Sequence, residues 1–125
     1  MLGPTPPGSQ LVAGSDLFTG TLDILILKTL SWGPMHGYAI GRWIRETTGE
    51  VLKVEEGALY PALHRLERRG LLEEEWRLTE TNRQAKFYTL TAAGRKHLRA
   101  EMQRWSEYST AVSTVLTAPS IRAAE

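Results

Sequence analysis

The residue pattern predicts a mainly α fold with a small β-hairpin and one long C-terminal helix. Three observations predict it. Apolar residues recur at helical spacing in four separate segments, and two short segments between the third and fourth read as strands. The last apolar stripe continues for about 26 residues and stops just before Pro119. A chain of 125 residues holds one modest core, so these elements should form a single packed unit.

The opening residues, MLGPTPPGSQLVAGSD, are rich in Pro, Gly and Ser and predict a flexible tail over residues 1–16. They carry neither the positive charge nor the apolar run of a signal peptide. The first helix follows in LFTGTLDILILKTLSW, with Thr19 or Thr21 as its cap and apolar residues on nearly every side. Such a helix must be covered all round, by the internal core or by a partner subunit as well. GPMHG then breaks the chain. YAIGRWIRETTGE sets Ala39, Ile40, Trp43, Ile44 and Thr47 on one side of a second helix against Arg42, Arg45 and Glu46, and Gly49 stops it. VLKV is β-branched but long enough for only one or two strand pairs.

The third helix, within VEEGALYPALHRLERRG, divides its sides most sharply. Leu59, Ala62, Leu63 and Leu66 form one stripe. Gly57, Pro61, His64 and Arg68 occupy the opposite side, flanked by Tyr60 and Arg65, and Gly70 ends the helix. Pro61 lacks an N–H and crowds the preceding turn, so the helix should start near Glu55 and bend slightly. LLEEEW and AKFYTLT fit two strands of a hairpin joined by the polar RLTETNRQ. Thr91 caps the final helix, where Leu98, Trp105 and Val112 recur every seven residues and Met102, Tyr108, Val115 and Leu116 widen the stripe. At about 1.5 Å per residue that helix is near 40 Å long, more than the rest of the fold can cover, and its uncovered part should dimerise.

Helix, helix, helix, hairpin is the order of a winged helix-turn-helix. Residues 17–90 are expected to form that unit, 91–117 the dimerisation helix and 118–125 a second tail. The third helix is then the one that enters the major groove of double-stranded DNA. Gly57 lets the backbone approach a phosphate closely. Tyr60, His64, Arg65 and Arg68 offer hydrogen-bonding groups, with Pro61 on the same side, and Lys53 stands just before the helix. Arg83 and Lys86 fall where the hairpin would meet backbone or minor groove. The plainer account is a solvated basic face, and Glu55, Glu56 and Glu67 dilute the charge. A winged-helix scaffold that docks protein instead of DNA is the competing function.

Other chemistries find little support. Net charge is only +1, so a polyanion must bind a local patch. The chain has no cysteine, which removes disulfides and thiolate ligands and fits a reducing cytoplasm. His36, His64 and His97 lack ligand spacing, and Glu73 to Glu75 alternate between strand faces, so no metal site is expected. There is no phosphate-cradling loop or nucleophile motif, hence neither enzyme nor cofactor is expected. The run Ile24 to Leu27 is too short to span a membrane. Trp105, one turn after Glu101, would meet its symmetry mate across a dimer as a flat apolar wall. Two such walls pack on each other or hold a planar aromatic effector.

The segments GTLDILILKTLSWGPMHGYAI, EEGALYPALHRLERRGLL and NRQAKFYTLTAAGRKHL resemble the PadR family of bacterial transcriptional regulators over about residues 20–116. The single long final helix is most similar to the short-C-terminus subgroup and its acidobacterial-type members. The resemblance implies a dimeric repressor on a pseudo-palindromic operator, released in some relatives by an aromatic or cationic molecule bound between subunits. It also implies that Tyr60 in LYPAL is a recognition-helix residue and that Trp105 in EMQRWSEY lies at the interface. The acidic EEEW departs from the family pattern at the base of the wing.

Overall fold

The computed structural model describes residues 19–121; the tail expected over residues 1–16 and the last part of the tail expected over 118–125 lie outside them. Seven elements follow in order: α1 (Thr19–Leu30), β1 (Met35–His36), α2 (Gly37–Thr47), α3 (Glu56–Arg68), β2 (Leu72–Leu78), β3 (Gln84–Leu90) and α4 (Ala92–Thr117). No helix among the described residues is long and apolar enough to cross a membrane.

The three short helices enclose one core. Ile26, Leu27 and Leu30 of α1 meet Ile40 and Ile44 of α2 and Leu59, Leu63 and Leu66 of α3, all almost fully buried. The apolar ring around α1 is covered unevenly, because Ile24 and Leu25 are only partly buried at the edge of this core. Thr29, the one polar residue buried within it among the described residues, donates its hydroxyl to the Leu25 carbonyl at 2.7 Å and so leaves no orphan donor. α1 begins at Thr19, so Thr21 lies inside the helix and not at its cap.

Pro61 sits in the second turn of α3, which continues to Arg68. Proline there leaves the Gly57 carbonyl without its helical donor, and because Gly57 is exposed, water can satisfy that oxygen. α3 ends as the sequence signals. Gly70 takes a left-handed φ of 76°, the Leu71 N–H donates to the Leu66 carbonyl at 3.0 Å, and the Gly70 N–H donates to Glu67 at 2.9 Å. The two leucines of this motif are both buried, which fixes the direction in which the chain leaves for the sheet.

Two expectations are corrected here. The break at GPMHG contains a short strand: Met35 pairs with Tyr88 and His36 with Phe87, so the hairpin becomes a three-stranded antiparallel sheet of order β1-β3-β2. The cause is tertiary, since the outer edge of β3 offers unpaired backbone groups that this segment satisfies. VLKV forms no strand; Leu52 and Val54 pack against the core from an irregular segment, and the Leu52 N–H donates to the Thr48 hydroxyl at 3.1 Å.

α4 is tied to the body at its start. The Thr91 hydroxyl accepts from the Gly94 N–H at 2.9 Å and donates to the Gly70 carbonyl at 2.8 Å. Gly94 rests so closely on the backbone of Leu71 that a side chain would collide with its carbonyl oxygen. Beyond Leu98 the helix leaves the core. Met102, Trp105, Tyr108 and Val112 of its apolar stripe are all exposed.

Candidate nucleic-acid interface

Burial of Leu59, Ala62, Leu63 and Leu66 forces the opposite side of α3 outward, and Gly57, Tyr60, Pro61, His64 and Arg68 are all exposed there. Lys53 is exposed just before the helix. Arg83 lies in the turn between β2 and β3, where the Thr79 N–H donates to the Arg83 carbonyl at 2.8 Å and Asn82 takes a left-handed φ of 62°. Among the described residues Lys53, Arg68 and Arg83 have no acidic partner, so their charges are available to a ligand.

Two other cations of the expected set are engaged internally. Arg65 turns back to Asp23 of α1, with nitrogen and oxygen 2.6 Å apart. Burial raises the Asp23 carboxyl above its usual range, and the Arg65 hydrogen bond only partly offsets this. Lys86 lies in the body of β3, below the wing tip, and pairs with Glu74 at 3.1 Å.

Tyr60 is held by a residue that sequence reading passed over. Its ring lies across Gly37 at the start of α2, so close that a Cβ on Gly37 would stand 2.7 Å from the ring. Burial and, to a smaller extent, the Glu56 carboxylate push its hydroxyl above the usual phenol range, which keeps it a neutral hydrogen-bond donor. Beside it, a groove of about 460 Å³ runs between α2 and the start of α3, lined among others by Tyr38, Arg42, Arg45, Lys53, Gly57 and Tyr60. Tyr38, Arg42 and Arg45 recur at i, i+4 and i+7 on the polar side of α2, and that spacing was the available signal for them. Arg42 lies over the Tyr38 ring at 5.8 Å; Arg42 and Arg45 pair loosely with Glu46 at 3.9 Å and Glu50 at 3.6 Å. His36 is a helix cap, accepting from the Ala39 N–H at 3.3 Å.

Between α3 and the wing the surface is acidic as well as basic. The neighbouring Glu74 carboxyl raises Glu67 above its ordinary value, while Glu67 and then Lys86 lower Glu74. His64 lies 3.9 Å from Glu67. On α4, Trp105 is 44% exposed with the Tyr108 ring 6.1 Å away. The Glu101 carboxylate is held below its usual range first by Arg104.

The sequence pattern of the Transcriptional regulator PadR-like family matches residues 26–100. A transcriptional regulator from Clostridium thermocellum has a similar structure, with a TM-score of 0.73 and 30% identity over 80% of this chain and 97% of that one. A PadR-like transcriptional regulator from Bacillus cereus gives a TM-score of 0.72 and 27% identity over 83% of this chain and 99% of that one. A transcriptional regulator of Mycobacterium tuberculosis is 37% identical over 73 residues, 58% of this chain and 67% of that protein.

Proposed function

The chain belongs to the Transcriptional regulator PadR-like family, whose members are regulators and not enzymes, and on that premise we propose that it binds duplex DNA sequence-specifically as a homodimer. One observation carries the reading: α3 is anchored by four buried side chains while its other side presents Tyr60, His64 and Arg68, with the unpaired Lys53 and Arg83 at either flank. In this reading Gly57 admits a phosphate at the start of α3, Tyr60 and His64 reach base edges, and Lys53 and Arg83 hold the backbone. Residues 17–90 act as the DNA-binding unit and residues 91–117 as the pairing helix.

The exposed stripe on α4 supports the dimer, because an apolar surface continuous over several turns is stabilised by pairing with its copy. Two-fold symmetry then demands a pseudo-palindromic operator with half-sites about one helical turn apart. Acting there as a cytoplasmic repressor, the dimer would be released by a planar aromatic molecule held between the two Trp105 rings. Selection of bound sequences from random duplexes, followed by footprinting, tests DNA binding and symmetry together. Two protected half-sites are expected. Absence of retardation for any duplex at low salt would instead favour a protein-docking scaffold.

A further inference from the structure

Strand β2 alternates its side chains between two faces. Leu72, Glu74, Trp76 and Leu78 share the face turned toward α3: Leu72 is buried against the core, and Glu74 meets Glu67 and His64 of that helix. Two positions further out, Trp76 is 64% exposed and Leu78 is 59% exposed. Opposite them on β3 stand Lys86 and Gln84. The Lys86 ammonium lies 5.7 Å from the centre of the indole ring, which holds one ring face while leaving most of the indole in solvent. The strand thus carries an apolar pair beyond the last core residue, next to the outward side of α3 and just below the unpaired Arg83 at the tip.

We propose that Trp76 and Leu78 are an apolar contact for DNA, pressing on the minor-groove sugars beside the half-site that α3 reads. The occupant follows from placement and charge. A ligand lying along both α3 and the wing meets the exposed Tyr60 and His64 on the helix and the exposed Trp76 and Leu78 on β2, with Arg83 at the tip. Duplex DNA with α3 in its major groove brings an adjacent minor groove to the wing, where cations meet phosphate and apolar side chains meet deoxyribose. The free charges at Arg83 and Lys53 complement that polyanion. Glu67 and Glu74 lie nearer the core, and the Lys86 ammonium 3.1 Å from Glu74 lessens their repulsion. Pressure from the indole on the sugars favours flanking steps that deform easily, so Trp76 reads shape where it touches no base edge.

This inference rests on the DNA-binding reading, and its test separates the two. A duplex selected with the wild-type protein is titrated against wild type, Trp76→Ala, Trp76→Phe, Leu78→Ala and Arg83→Ala, with anisotropy read at several salt concentrations and hydroxyl-radical footprints taken at saturation. Because Trp76 is mostly exposed, circular dichroism should show the Ala variant folded. Trp76→Ala is expected to weaken binding roughly tenfold with an unchanged salt slope, since an apolar contact releases no counterions. Trp76→Phe should keep most of the affinity, and protection of the flanking sugars should disappear only in the Trp76→Ala and Leu78→Ala footprints. Binding by Trp76→Ala within twofold of wild type, with the flank still protected, overturns the proposal and reassigns the patch to a protein partner. A wild-type protein that binds no duplex overturns the DNA-binding reading itself, and the role of Trp76 with it.

Discussion

Gly37→Ala should damage DNA recognition while leaving the fold as stable as before or slightly more so. Gly37 opens α2, and its φ lies outside the left-handed region, so alanine fits its backbone. A Gly→Ala change at such a position stabilises by about 0.4–1 kcal/mol by restricting the unfolded chain. The new Cβ, however, would stand 2.7 Å from both Cε1 and the hydroxyl oxygen of Tyr60. Non-bonded carbons need about 3.5 Å, so the ring must retreat by roughly 0.8 Å, and at 41% exposure it has open space to do so. A hydrogen bond made near 2.8 Å would then stretch to about 3.6 Å and cease to be one. The loss of a base contact costs about 1–3 kcal/mol, or roughly 5- to 150-fold in affinity. Anisotropy titration of a selected duplex measures the binding change, and urea unfolding measures stability. The decisive comparison is the double-mutant cycle with Tyr60→Ala, in whose background Gly37→Ala should cost nothing. Equal losses in both backgrounds, or affinity within twofold of wild type, would refute the claim that Gly37 positions Tyr60.

Four further outcomes are expected. Gly94→Ala forces a methyl group into the Leu71 carbonyl, a backbone atom that cannot step aside. Overpacking of about 1–3 kcal/mol exceeds the roughly 0.5–1 kcal/mol of helix propensity gained, so the urea midpoint should fall. Arg65→Ala strands the partly buried Asp23 carboxylate and should lower stability by about 1–2 kcal/mol, with little change in the salt slope of DNA binding; Arg83→Ala should leave stability alone and reduce that slope by about 0.9. Glu67, whose folded pKa is raised, favours the fold below the ordinary glutamate range and loses that contribution as pH rises through its raised value. Glu74, whose folded pKa is lowered, contributes above the ordinary range and loses it as pH falls through its lowered value. Glu67→Gln removes the Glu67 contribution, so urea unfolding should show the variant gaining on wild type as pH rises above the glutamate range and matching it in acid.

Much of the scaffold was legible because each signal acts within a turn or two of chain. Thr91 caps α4 as its type and position imply, and Gly70 ends α3 with the expected left-handed residue. The stripe Leu59, Ala62, Leu63 and Leu66 is buried together, and Trp105 is exposed on the long helix. What misled was equally local. VLKV has strand-like residues, but Leu52 and Val54 are drawn against the helical core instead of the sheet, and GPMHG looks like a pure break until β3 supplies a partner for Met35 and His36. The polar side of α2 carried a spacing that placed Tyr38, Arg42 and Arg45 together, yet nothing in the chain says that this side borders the start of α3.

Periodicity, caps and stop signals, each an interaction between near neighbours, were enough to set the helices, the pair of long strands and the side of α3 that faces out. Which outward groups are free was settled only when distant segments met. Arg65 and Asp23 are 42 positions apart, yet their pairing removes one cation from the surface. Gly37 seats Tyr60, and Glu74 on β2 raises the pKa of Glu67 on α3. A side chain's charge and shape are written in its residue type, but whether that charge is spent inside the molecule or offered to a ligand depends on what the fold places beside it.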